Sequence, residues 1–335
     1  MRSVLIIYTG GTIGMVREHK TRSLIPFDFK SIVNQIPELK QLDCTIDFHA
    51  STKAIDSSNV QPQLWEELAG IIEKSYSKYD GFVILHGTDT MAYTASALSF
   101  MLQHLGKPVI LTGSQLPLGV IRTDAKRNLI TSIEIAASST DLPEVCIYFS
   151  SLLFRGNRAE KYSSSKFDAF QSLSYPVLAE AGVNIDFNKL AIRKKDRGKF
   201  KVLYGFETSV GLLKIFPGMN PAIIDAIAGS GIRALILETF GSGNAPNTKE
   251  FLSAIQRLIK KDIVVLNISQ CSGGAVDQGK YETSVELKKI GVISGRDMTT
   301  EAAVTKLMFL LSRYSRKQDV MKVMKVSLAG EMSKG

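Results

Sequence analysis

Short, nearly continuous runs of Val, Ile and Leu punctuate this chain at Val4–Tyr8, Phe82–His86, Val109–Thr112, Val145–Ser150, Gly211–Phe216, Ala234–Glu238 and Ile263–Ile268. A strand with one wet face alternates apolar and polar residues, so unbroken runs of this kind belong to strands buried on both faces of a parallel sheet. The intervening segments supply the covering helices, with helical periodicity over Gln63–Ser75, Met91–Leu105, Lys249–Lys260 and Thr299–Leu311. Strand and helix in alternation predict an α/β fold. In an open parallel sheet, ligands bind in the crevice beyond the strand carboxyl ends.

A chain of 335 residues with 44% hydrophobic content is long enough for about two domains. The segment Asp186–Phe206 is charged, poor in apolar residues and interrupts the alternation. It predicts an N-terminal domain at 1–185, a basic linker at 186–206 and a smaller C-terminal α/β domain at 207–335. No apolar stretch approaches the roughly 20 residues needed to cross a bilayer, and Met1–Tyr8 runs into Thr9-Gly10-Gly11 without a signal cleavage site. The expectation is a soluble, unexported, cytoplasmic chain that does not bind membranes.

Three cysteines, Cys44, Cys146 and Cys271, are widely spaced with no CxxC, and the four histidines form no HxxxH. Neither a disulfide framework nor a zinc site is expected. The net charge of +9 could suggest nucleic acid, so its distribution matters. Two short stretches hold the whole surplus, seven basic residues against Asp196 in 189–201 and five against Asp319 in 313–325. Neither interleaves aromatics as a single-strand stacking platform does, so no nucleic-acid partner is expected.

The first two apolar runs end in Thr9-Gly10-Gly11-Thr12 and His86-Gly87-Thr88-Asp89. Each presents a hydroxyl beside glycines, where free backbone amides approach a ligand closely. Two hydroxyls at strand ends that gather in one crevice suit acyl transfer. For Thr12, a phosphate loop and a plain turn compete with a nucleophile, but Gly-Lys-Ser/Thr is absent and Gly10-Gly11-x-x-Gly14 lacks dinucleotide spacing. Asp89 reads equally as a helix cap or as an orienting carboxylate for Thr88. A threonine hydroxyl needs a base, and Lys161, after Arg155-Gly156-Asn157-Arg158, is a candidate that competes with a plain surface lysine. Asp56-Ser57-Ser58-Asn59 could hold a carboxylate or simply lead a helix. Cys271, a rival nucleophile, has no histidine nearby in sequence and reads as a packing residue.

Taken in order, Tyr8–Met15, Leu85–Ala95, Thr112-Gly113-Ser114-Gln115, Asp56-Ser57-Ser58, Arg155-Gly156-Asn157-Arg158, Gly243-Asn244-Ala245-Pro246, Ser269-Gln270-Cys271 and Gly291–Ile293 with Asp297-Met298-Thr299 resemble the L-asparaginase family, in its cytoplasmic bacterial type I branch. The resemblance covers almost the whole chain. It implies a two-domain asparaginase-like α/β fold with a larger, parallel-rich N-terminal sheet, assembled as a homodimer or homotetramer. It also implies hydrolysis of L-asparagine to L-aspartate and ammonia with no cofactor. By matching motif, Thr12 is implied as first nucleophile and Thr88, Asp89 and Lys161 as a second, triad-like group. Asp56, Ser57 and Ser58 are implied to hold the substrate's α-carboxylate and α-amine, with Asp89 pairing with the ammonium. Ser114 would line the amide pocket through its backbone, and amides at Gly11–Thr12 and Gly87–Thr88 would face the oxyanion.

Two departures stand out. Many members place a tyrosine on the loop after the first motif, where this chain has Leu24; some borrow one from the neighbouring subunit, and Tyr281 is the matching position. Some type I members also bind a second, activating asparagine between the domains with an arginine where this chain has Glu238, and Glu160 precedes Lys161. Two carboxylates there predict weak or absent activation. The rival readings are a broader glutaminase-asparaginase, an amidotransferase subunit, and a non-catalytic amino-acid sensor on the same fold.

Overall fold

A computed structural model of the chain describes residues 1–17, 24–26, 36–50, 54–279 and 282–333. These fall into two compact units, Met1–Tyr204 and Gly205–Gly335.

The first unit is built on an eight-stranded sheet of β1 (Arg2–Tyr8), β2 (Cys44–Ala50), β3 (Gly81–Leu85), β4 (Val109–Thr112), β5 (Val145–Phe149), β6 (Leu152–Arg155), β7 (Ala179–Ala181) and β8 (Ile185–Phe187). Their spatial order is β8-β7-β6-β5-β4-β3-β1-β2. β2, β1, β3, β4 and β5 run parallel, and β6 to β8 extend the sheet by antiparallel pairing. β3, β4 and β5 are buried at every position, as unbroken apolar runs require. Three longer helices lie in this unit, α1 (Pro62–Ser75), α2 (Met91–Met101) and α3 (Ala125–Ala137). Alternate strand residues Val4, Ile6, Val83, Leu85, Ile110 and Cys146 share one core with Leu129, Ile133 and Ala136 of α3. Strand side chains alternate faces, so residues two apart meet the same helix.

The second unit carries four parallel strands in order, β9 (Val210–Lys214), β10 (Ala234–Thr239), β11 (Val264–Ser269) and β12 (Ile293–Ser294). Its helices are α4 (Ala222–Ala228), α5 (Lys249–Lys260), α6 (Glu282–Lys289), α7 (Thr300–Leu311) and α8 (Lys317–Met324). Phe251, Ala254, Ile255 and Leu258 of α5 recur at helical spacing and pack with Leu235, Leu237 and Val265. Thr248 caps α5 by accepting the Phe251 N–H at 3.3 Å, and Thr299 caps α7 by accepting that of Ala302 at 3.2 Å. Lys306 on α7 is fully buried and donates to Glu331, also fully buried, at 2.6 Å.

The seven apolar runs each form a strand, with ends displaced by two residues at most. The expected helix over Met91–Leu105 stops at Met101, because Leu102–Gln103 pairs antiparallel with Lys201–Val202 and His104 takes a left-handed φ of 53°. The segment 186–206, expected as a linker, lies almost entirely within the first unit. Asp186 and Phe187 belong to β8, Ala191 is buried, and the Arg193 N–H donates to the buried Glu144. Its basic side chains hid these backbone pairings from a reading of composition.

Candidate active site

β1 and β3 lie side by side, so their carboxyl ends emerge together. The Thr9 N–H donates to Leu85 O at 3.1 Å, and its hydroxyl to the same oxygen at 3.0 Å. Beyond this point Gly10 and Gly11 take φ of 127° and 86°. A Cβ on Gly11 would lie 2.5 Å from Gly87 N and 2.6 Å from its Cα. The two glycine-threonine ends thus touch backbone to backbone, and only glycine at position 11 permits both the left-handed φ and the approach. Thr12 then opens a short 3₁₀ turn, Thr12–Gly14, and is half-buried. The Tyr8 hydroxyl closes that turn by donating to Gly14 O at 3.2 Å. Burial pushes the Tyr8 pKa up to about 12, which keeps it a donor.

Thr88 and Asp89 follow β3, and the Lys161 Nζ meets both, donating to Thr88 Oγ1 at 2.7 Å and Asp89 Oδ1 at 2.6 Å. The lysine side chain is only 16% exposed while the aspartate is 61% exposed, which removes Lys161 from the class of plain surface lysines. A short ladder, Glu160–Lys161 against Phe170–Gln171, holds the lysine in place. Asp89 caps nothing. The cap position of α2 is Thr90, and its hydroxyl goes elsewhere.

The turn Asp56–Asn59 packs on the same strand ends. A Cβ on Gly87 would strike the Ser57 side chain at 2.5 Å, and the Ile55 N–H donates to Thr9 O at 2.8 Å. Asp56 accepts the Ser58 N–H and hydroxyl, both at 2.9 Å, and those bonds hold its carboxyl below the usual range. Ser57 is buried, whereas Asp56 and Ser58 are exposed. From β4, a Cβ on Gly113 would meet His86 O at 2.4 Å and lie 3.5 Å from the Thr88 methyl, so the residue before Ser114 packs on the β3 end. Ser114 is buried and donates to Leu116 O at 2.6 Å.

His86 is a neighbour that sequence reasoning passed over. It is fully buried, which pushes its pKa down to about 4 and leaves the ring neutral at physiological pH. Gly87 O, 2.7 Å from Nδ1, can only accept, so Nδ1 carries the proton. Nε2 then accepts the Thr94 hydroxyl at 3.0 Å, and Thr94 accepts the Trp65 ring N–H at 3.1 Å. This chain of donors pins the Gly87 carbonyl. Because the peptide is planar and trans, the Thr88 N–H points the opposite way. The signal was present as a polar residue closing an otherwise apolar run.

With this geometry in view, comparison with known proteins is decisive. Residues 3–193 match the family described as "Asparaginase, N-terminal" and residues 209–324 the "Glutaminase/Asparaginase C-terminal domain". The chain is 41% identical over 335 residues to L-asparaginase 1 of Escherichia coli, covering 99% of this chain and 98% of that one. The chain belongs to the asparaginase family. Solved structures agree: L-asparaginase I of Vibrio cholerae superposes with a TM-score of 0.91 at 40% identity over 99% of each chain. The thermostable L-asparaginase of Thermococcus kodakarensis does so at 0.93 and 30% identity, over 99% of this chain and 100% of that one.

Among the residues that the asparaginase resemblance singles out, Gly11, Thr12, Ser57, Gly87, Thr88, Asp89, Ser114 and Lys161 converge on the ends of β1, β3 and β4. Asp56 and Ser58 flank them. Tyr281 lies outside the described residues, as does the side chain of Leu24. Cys271, read as a packing residue, is exposed instead. Among the described residues no cluster of His, Cys, Asp or Glu could hold a metal ion, and no helix is long and apolar enough to cross a membrane.

Proposed function

We propose that this chain hydrolyses the side-chain amide of L-asparagine to L-aspartate and ammonia, in the cytoplasm and without a cofactor. The observation that carries this reading is the Lys161 Nζ held 2.7 Å from Thr88 Oγ1 and 2.6 Å from Asp89, beside the Gly11–Gly87 contact. In the first displacement Thr12 Oγ1 bonds to the amide carbon, the C–N bond breaks, and the nitrogen gains the hydroxyl proton and leaves as ammonia. Water then adds to the β-aspartyl ester, the C–Oγ1 bond breaks, and a proton returns to Thr12. A threonine hydroxyl is a weak nucleophile without a base. Water is weak in the same way, and the Lys161–Thr88 separation suits a proton passed along that line from the water that attacks the ester. Backbone amides at Gly11–Thr12 and Gly87–Thr88 supply oxyanion donors, each typically worth about 3 kcal/mol. The Asp56–Ser58 turn receives the α-carboxylate and α-amine. Assembly as a homodimer or homotetramer, with Tyr281 serving a neighbouring subunit, is part of the proposal.

Ammonia release from asparagine and glutamine across a concentration series tests it. Turnover favouring asparagine is expected; equal kcat/KM for both would replace this reading by a glutaminase-asparaginase, and no release from either would leave only the sensor.

The rate curve in asparagine is expected to be hyperbolic. Glu238 accepts the Thr300 hydroxyl at 2.6 Å and Glu160 the Gln171 amide at 2.7 Å, so each carboxylate is held within its own unit. A carboxylate at either position would repel the carboxylate of an effector bound beside it. A plainly sigmoidal curve would overturn this.

A further inference from the structure

Thr90 occupies the position where a threonine ordinarily caps a helix, with its oxygen accepting an N–H of the first turn. Here it makes no such bond. Its hydroxyl instead donates to Ser57 O at 2.7 Å, across 33 residues of sequence. Among the described residues, Ser57 O otherwise receives only the longer 3.3 Å bond from Val60 N within its own 3₁₀ turn. The Asp56–Asn59 turn is therefore tied to the catalytic strand end by a side chain that forgoes a local role. Other ties among the described residues are the Ile55 N–H on Thr9 O, the close approach of Gly10 to the Ile55 backbone and the packing of the Ser57 side chain on Gly87.

We propose that Thr90 is a positioning residue: it sets the turn that receives the substrate's α-carboxylate and α-amine against Thr88 and Asp89, so that the scissile amide is placed on the nucleophile. Thr90 joins α2 directly to Asp89, so any shift of the turn relative to Thr90 is a shift relative to the catalytic pair. The assignment rests on the asparagine reading above, yet the coupling itself is a property of the free protein. Thr90 is half-buried and contacts no reacting atom in this scheme.

The test compares Thr90→Val, which keeps the shape and removes the donor, with Thr90→Ser, which keeps the donor. Amide hydrogen exchange of the unliganded protein is read over residues 54–60, together with KM and kcat for asparagine and inhibition by L-aspartate. Thr90→Val is expected to speed exchange in 54–60 and to raise KM and the L-aspartate inhibition constant about fivefold, the equivalent of one hydrogen bond. Thr90→Ser should restore both. Since the hydroxyl caps nothing, exchange in α2 should stay at the parental level. Parental exchange in 54–60 for Thr90→Val, a uniform rise over the first unit, or failure of Thr90→Ser to rescue would each overturn the inference. A parent inactive on asparagine would sink the asparagine reading instead, and the exchange comparison would still decide the coupling.

Discussion

Replacing Thr12 by alanine is expected to lower ammonia release from L-asparagine by at least about 10³-fold, because removal of a covalent nucleophile leaves only binding and electrostatic catalysis. The position favours this role over that of a turn residue. Thr12 follows a glycine that combines a φ of 86° with close contact to Gly87, the residue before Thr88. KM should change little, since the proposed scheme has the Asp56–Ser58 turn receive the carboxylate and amine. Thr88→Ala should behave differently: with the Lys161–Thr88–Asp89 group serving the water step, an aspartyl ester should accumulate on the peptide that carries Thr12. Intact-protein and peptide mass spectrometry after mixing with asparagine would detect it. Thr12→Ala working near the parental rate, with the ester found on another residue, would refute the assignment.

Lys306→Met is expected to lower stability by about 3–5 kcal/mol, the usual cost of leaving one partner of a buried ion pair uncompensated. Both side chains are wholly inaccessible. The lysine's other two donors reach Val326 O at 2.6 Å and Met324 O at 3.1 Å. Glu331 accepts the N–H groups of Ala329 at 2.8 Å and Leu328 at 3.0 Å. The pair therefore fastens the final segment of chain to α7. Burial pushes the Glu331 carboxyl upward, but Lys306 and those amides outweigh it and hold it below its ordinary value of 4.5. A depressed carboxylate stabilises the fold above its unfolded pKa and loses that contribution as pH falls through the lower folded value. Parental stability should thus decline in acid below about pH 4.5, and Glu331→Gln should flatten the decline. A double substitution by apolar residues of similar volume should recover much of the loss. Calorimetry as a function of pH measures all of these; a single Lys306→Met variant as stable as the parent would contradict the account.

Much of the architecture was legible because burial on both faces demands an apolar residue at every position. That constraint wrote β1, β3, β4, β5, β10 and β11 into the sequence almost to the residue. Edge strand β2, half-exposed and carrying Asp47 and His49, obeyed no such rule and went unread, as did the antiparallel β6–β8. The early stop of α2 was invisible for a related reason: Leu102–Gln103 pairs with residues about 100 positions away. Likewise nothing in the local sequence marks Glu144 and Arg155 as a buried pair at 2.5 Å.

The site divides along the same line. Motif order, through the family resemblance it carries, singled out Thr12, Thr88, Asp89 and Lys161 and pointed to the family to which the chain belongs. What the sequence could not decide was which hydroxyl meets which partner. Asp89 could have been a cap and Lys161 a surface lysine. Only folding brings Lys161 across 72 residues onto Asp89, turns Thr90 away from its own helix toward Ser57, and presses Gly11 against Gly87. Local propensity acts over a few residues, whereas these contacts are set by the register of parallel strands and the close approach that glycine allows.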